Sequence, residues 1–324
     1  MTMSRRSLLV GSGKYLPARV VTNDELSSRV DTSDEWIRTR TGICQRHVAD
    51  NGETCVSMAV EAARNALADA GLDASAIDLV IVGTSTPDQA FPSVAVRVLG
   101  ELGTTGGYGF DVSAACSGFI YALSVADGLI RAGSARGALV IGSEVYSRIL
   151  DWEDRTTSVL FGDGAGAVVL RASEPGEAER GILATHLHAD GSVGDILYVD
   201  GAVGLREHSG YLRMNGREVF RHAVSKLASS VDEVLESVGL GYQDVSWLVP
   251  HQANIRIIEG VAKKLQMSME QVVVTVDRHA NTSAASIPLA LDEARRDGRI
   301  RSGDLVLMEA LGGGLTWGSA LVRM

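Results

Sequence analysis

The chain has 324 residues, 45% of them hydrophobic, and carries 36 glycines against 6 prolines with a formal net charge of −10. This size predicts two domains or one duplicated domain with ample core. The acidic balance argues against general nucleic-acid binding, and no apolar run approaches the roughly 18 residues of a membrane span. Cys44, Cys55 and Cys116 are odd in number and irregularly spaced, against a disulfide framework or zinc site, so a reducing cytoplasm is expected. The opening MTMSRRSLLVGSGKY has too short an apolar stretch for a signal peptide.

Helical and strand patterns alternate along the chain, which predicts an α/β fold. Thr32-x-x-Glu35 predicts a capping box before a short helix carrying Trp36. Residues 53–70 have helical apolar spacing and stop at Gly71. LVIV (79–82) and ALVIG (138–142) read as buried strands, with a helix over 119–132 between them. The stretch 171–216 is less regular and is expected to be an insertion or lid. A helix follows over 217–237, then a strand at SWLVP.

Two distant stretches resemble each other. ALADAGLDASAIDLVIV (66–82) aligns with VLESVGLGYQDVSWLVP (234–250), and GLIRAGSARGALVIG (128–142) with ARRDGRIRSGDLVLME (294–309). Both pairs lie about 165 residues apart, which predicts an internal duplication. The expected halves are residues 1–172 and 173–324, with a site drawing residues from both.

Three residues carry the candidate chemistry. Cys116, in FDVSAACSGFIYAL, stands at a strand-to-helix junction among small residues. A buried thiol there is either a small hydrophobe or a nucleophile activated by the helix N-terminus. His251 follows the strand-like SWLVP, and Asn281 precedes the second half's equivalent helix. Singly, these read as a structural histidine and a turn or cap residue. Together, where the halves meet, they point to Cys/His/Asn chemistry.

DTSDEWIRTRTGI (31–43), FPSVA (91–95), DVSAACSGFIYALSVAD (111–127), LFGDGAGAVVL (160–170), VPHQANIRII (249–258), DRHANTSAASIPLALDEA (277–294) and GGGLTWGSALVR (312–323) together resemble the β-ketoacyl-acyl-carrier-protein synthase III family of the thiolase superfamily. The resemblance implies a five-layered αβαβα thiolase-like fold and a homodimer. It implies decarboxylating condensation of an acyl-CoA primer, by default acetyl-CoA, with malonyl-acyl-carrier protein, to begin fatty acid biosynthesis. No metal or redox cofactor is needed, since acyl-CoA is a substrate. It assigns the triad to Cys116, His251 and Asn281, and the oxyanion hole to the N–H groups of Cys116 and Gly313. Coenzyme A contacts fall to Trp36, Arg40, Arg155 and Asn254. Phe91 and Leu311 fall to the dimer interface and the acyl pocket wall. One departure stands out: Ala280 occupies a position where the family motif has glycine.

Arg213, Arg217 and Arg221 recur every four residues and, with Arg256, Lys263 and Lys264, make either a basic patch or a solvated charged face. The resemblance favours a docking patch for the acidic acyl carrier protein, centred on Arg221, Arg256 and Lys264. Among rival readings, a degradative thiolase lacks its second cysteine, because no cysteine follows Cys116. A hydroxymethylglutaryl-CoA synthase would want a glutamate base near the thiol. A dinucleotide module would need G-x-G-x-x-G where GDGAGA stands. A superfamily synthase making an alkylquinolone or polyketide starter keeps the same triad and is the alternative.

Overall fold

Aliphatic runs set the frame. Leu79–Gly83 and Gly137–Val145 are buried at every position, as strands covered by helices on both faces must be. A computed structural model describes residues 5–104, 106–174, 177, 180–201 and 210–324. The first sheet runs in the order Ser7–Tyr15, Asp163–Ala172, Gly137–Val145, Leu79–Gly83, Tyr108–Val112. The second runs Gly181–Ala189, Thr316–Arg323, Leu305–Gly312, Trp247–Pro250. In both sheets two antiparallel ladders are followed by a parallel one, so the second repeats four strands of the first.

Side-chain alternation sorts the core into layers. Val80 and Val82 face the helices Cys55–Ala70 and Val94–Glu101, whereas Leu79 and Ile81 face the central helices Gly118–Arg131 and Ser286–Arg296. Met308 and Ala310 of the second sheet pack on the other side of that central pair. Leu305 and Leu307 turn outward to the helices Gly216–Glu236 and Ile255–Lys264. Five layers result: helices, sheet, helices, sheet, helices.

Local sequence explains most boundaries. Thr54 and Ser57 form a reciprocal capping box, so the helix expected from residue 53 starts at Cys55 and ends at Gly71, whose φ is 64°. The expected capping box at Thr32 is corrected: Ser33 caps the helix Asp34–Thr41 by accepting from the Trp36 N–H. Both hydroxyls precede the helix, and only Ser33 has the cap spacing to residue 36.

The irregular reading of 171–216 is also corrected in part. Gly181–Ala189 is a nine-residue edge strand, and its polar side chains suit an edge with one solvated face. The short strands Leu197–Val199 and Leu212–Met214 pair with each other. Residues 175, 176, 178, 179 and 202–209 of the expected lid lie outside the described residues. GDGAGAVVL is a central strand rather than a phosphate loop, and a Cβ at Gly166 would come within 2.7 Å of the Leu289 backbone nitrogen.

Candidate active site

Two short turns, one from each repeat, build the site. Ala115–Ser117 opens the helix Gly118–Arg131, and Ser283–Ala285 opens Ser286–Arg296. Ala115 and Ser283, the first residues of these turns, both have positive φ, 45° and 50°. The turns touch, and the first also packs on the strand Leu305–Gly312. A Cβ at Gly312 would lie 2.6 Å from the Cys116 nitrogen, so only glycine lets that strand come so close.

Cys116, His251 and Asn281 all gather around the Ser283–Ala285 turn, 5%, 6% and 6% exposed. Asn281 lies two residues before the turn, and its Oδ1 accepts the Ser283 N–H at 2.8 Å. Its backbone is clamped to the first repeat: the Asn281 N–H donates to Leu160 O and the Gly162 N–H to Asn281 O, each at 3.0 Å. His251 follows the strand Trp247–Pro250, donates its N–H to Glu309 O at 2.8 Å, and sets Nδ1 2.6 Å from Ser286 Oγ. Gln252, buried beside it, donates to Pro250 O and Val273 O and accepts the N–H groups of Thr275 and Val276. That side chain fixes the approach to the Asn281 turn.

Burial opposes activation of the thiol by the helix N-terminus. It pushes the Cys116 thiol up to about 12, opposed in part by the nearby Ser283 hydroxyl. A helix N-terminus contributes at most about 2 kcal/mol, too little to offset such desolvation. Burial likewise lowers His251 to about 3, so the imidazole is neutral. Thiol and imidazole are both uncharged at rest.

Cys116 opens into a cavity of about 300 Å³. Gly313 and Thr316 line one side, Leu197, Val199 and Leu212 another, and Tyr146 stacked on Phe161 a third, with ring centroids 5.0 Å apart. Leu311, expected on the pocket wall, points to the outer side of its strand and packs with Leu305 and Leu307. Sequence reasoning missed Tyr146 and Phe161. Phe161 sits inside LFGDGAG, and a Tyr just past the apolar run ALVIG was the available signal.

The remaining candidates fall at the surface. Arg40 and Arg155 lie over the Trp36 ring, 4.6 and 5.4 Å from its centroid. Asn254 caps the helix Ile255–Lys264 through the Arg256 N–H, and its Nδ2 donates to Arg40 O at 3.2 Å. Arg221, Arg256 and Lys264 are exposed on the packed helices Gly216–Glu236 and Ile255–Lys264. Arg213 is corrected out of that patch, because it lies on the strand Leu212–Met214 and pairs with Asp151 and Asp200. Phe91 is 85% exposed. Among the described residues there is no cluster of metal-binding side chains and no helix long and apolar enough to cross a membrane.

The profile of the family 3-oxoacyl-[acyl-carrier-protein (ACP)] synthase III matches residues 110–191, and that of its C terminal matches residues 235–324. A protein of Acidiphilium cryptum (strain JF-5) named beta-ketoacyl-[acyl-carrier-protein] synthase III is 66% identical over 319 residues, 98% of this chain and 99% of its own. One of the same name from Granulibacter bethesdensis is 63% identical over 321 residues, 99% of this chain and all of its own. The crystal structure of 3-oxoacyl-[acyl-carrier-protein] synthase III from Aquifex aeolicus VF5 is 50% identical. It covers 98% of this chain and 100% of that one, with a TM-score of 0.93.

Proposed function

The chain belongs to the β-ketoacyl-[acyl-carrier-protein] synthase III family and has its thiolase-like fold, and on that premise we propose that it condenses an acyl-CoA primer with malonyl-acyl-carrier protein. Acetyl-CoA is the default primer. The reaction releases CoA and CO₂ and opens fatty acid biosynthesis, in the cytoplasm. The observation that carries this reading is the gathering of Cys116, His251 and Asn281 around one turn, with Cys116 opening into the cavity.

Cys116 Sγ attacks the primer thioester, and its proton leaves with the CoA thiol. The tetrahedral oxyanion is held by the N–H groups of Cys116 and Gly313. Ser286 Oγ, which takes the Gln252 N–H at 3.3 Å, is assigned as the donor to His251 Nδ1, and this assignment puts an N–H on Nε2. That N–H and Asn281 Nδ2 then donate to the enolate oxygen formed as the malonyl group loses CO₂. The enolate carbon attacks acyl-Cys116, the Cys116 thiolate leaves, and it takes a proton from water. Neutral donors suit this step, since a charged imidazolium would be costly in the buried site.

Separating the half-reactions tests the assignment. His251→Ala and Asn281→Ala should lose decarboxylation of malonyl-carrier protein about a hundredfold yet still take acetyl from acetyl-CoA. Cys116→Ala should do the reverse. Normal CO₂ release by Asn281→Ala would sink the reading. In the same assay, charge reversal at Arg221, Arg256 and Lys264 should raise the carrier KM and leave acetyl transfer intact. Equal losses in both steps would show the patch to be structural or to serve CoA, whose adenine is assigned to Trp36 with Arg40 and Arg155.

A homodimer completes the proposal. Tyr108–Val112 is an edge strand of the first sheet with Tyr108 and Phe110 exposed, and such an edge is a template for pairing. Exposed Phe91 belongs to the same assigned interface. Sedimentation should give twice the 34.2 kDa chain mass, falling to the monomer in Phe110→Asp; a monomeric wild type would refute it.

A further inference from the structure

A carboxyl that the condensation does not use lies behind the site. Glu144, wholly buried at the end of the strand Gly137–Val145, is ringed by donors. The Ser85 N–H reaches both oxygens, at 3.2 and 3.0 Å. Thr86 Oγ1, which accepts the Val145 N–H, donates to Oε2 at 2.6 Å, and Thr84 Oγ1 approaches Oε2 at 3.2 Å. The remaining donor crosses from the second repeat: Ser283 Oγ lies 3.0 Å from Oε1 and 3.0 Å from the Tyr146 hydroxyl.

Ser283 is in the left-handed region, with φ of 50°, which a side chain disfavours. Its N–H holds Asn281 Oδ1. With Oδ1 engaged, Nδ2 is the group of that carboxamide left to donate, and among the described residues no protein acceptor takes it.

We propose that Glu144 is a positioning residue for the condensing centre: it anchors the Ser283 hydroxyl, keeps Ser283 left-handed, and so aims Asn281 Nδ2 at the reacting thioester. This rests on the reading of Asn281 as an enolate donor. Three titratable groups face Glu144: the Cys55 thiol from the helix Cys55–Ala70, the Cys116 thiol and the Tyr146 hydroxyl. Burial raises all three, so they stay neutral near pH 7. Asp163 on the adjacent strand is engaged by the Ala49 N–H and by Ser147. Glu144 itself is lifted by burial to about 7. Above that pH its carboxylate takes the Ser283 proton in a charge-assisted bond, and below it the anchor weakens.

The test measures CO₂ release from malonyl-carrier protein between pH 6 and 9. Wild type should gain rate through a step near pH 7, and Glu144→Gln should run flat at the lower level. Ser283→Ala should lose kcat about tenfold, the scale of a small misplacement of a reacting group, with the carrier KM unchanged. Ser283→Gly, free of the left-handed penalty, should recover most of that loss. A pH step surviving in Glu144→Gln, a wild-type kcat in Ser283→Ala, or Ser283→Gly as slow as Ser283→Ala would each overturn the proposal. A normal rate in Asn281→Ala would instead remove the reading beneath it.

Discussion

At the scale of single residues, the site is governed by burial. Cys116 sits one short turn ahead of a helix, where the dipole favours a thiolate, yet desolvation wins and the thiol rests protonated. Its reactivity toward a small alkylating agent should therefore follow the thiolate fraction. We expect the iodoacetamide rate to climb about tenfold per pH unit from pH 6 to 9 without a plateau. A plateau below pH 8 would mean a thiolate stabilised near neutrality and would reject the neutral resting state. His251, held neutral down to about pH 3, contributes no acid limb in that range.

At the scale of elements, the two turns decide the geometry, and both use conformations that their residues disfavour. Ala280 has φ of 58° and ψ of −161°, a region nearly reserved for glycine. Its neighbour Asn281 nonetheless keeps both backbone bonds to the first repeat. Ala280→Gly should relieve more strain than it adds in chain entropy, stabilising the fold by about 1 kcal/mol with activity within about threefold. Urea melts would decide it, and a lower midpoint would show that the buried methyl matters more than the strain. Strands such as LVIV and the 66–82/234–250 correspondence were legible because aliphatic runs and glycine stops are local signals. Ser33 against Thr32 was not, since two adjacent hydroxyls differ only in spacing to the helix. Nor was the Glu144–Ser283 bond, because it joins residues 139 positions apart. Leu311 misled for a related reason: one register step on a strand moves a side chain from one face to the other.

At the scale of the whole molecule, stacking five layers leaves ionisable groups with no route to water, and folding stability must then depend on pH. Glu309, on the central strand Leu305–Gly312, is lifted by burial alone to about 8, and its Oε2 has no hydrogen-bond partner among the described residues. Glu144 is raised to about 7 in spite of its donors. For both acids the folded state holds its proton more tightly than the unfolded chain does. Their contribution is complete below the unfolded value near 4.5 and is lost as pH rises through 7 to 8. His251 works in the other direction: its folded value is depressed, so its contribution is present above 6.5 and is lost as pH falls toward 3. The acids therefore set the alkaline side. Glu309→Gln removes one of them without changing the side chain's shape, so its stability relative to wild type should improve between pH 5.5 and 8.5 by on the order of 3 kcal/mol. The pH-dependent difference is the quantity to read, because the amide is itself a buried polar group whose fixed cost cancels between the two conditions. Paired urea melts at the two pH values measure it. Parallel shifts at both would mean that Glu309 ionises freely in the fold, and that the space around it is wetter than its burial implies.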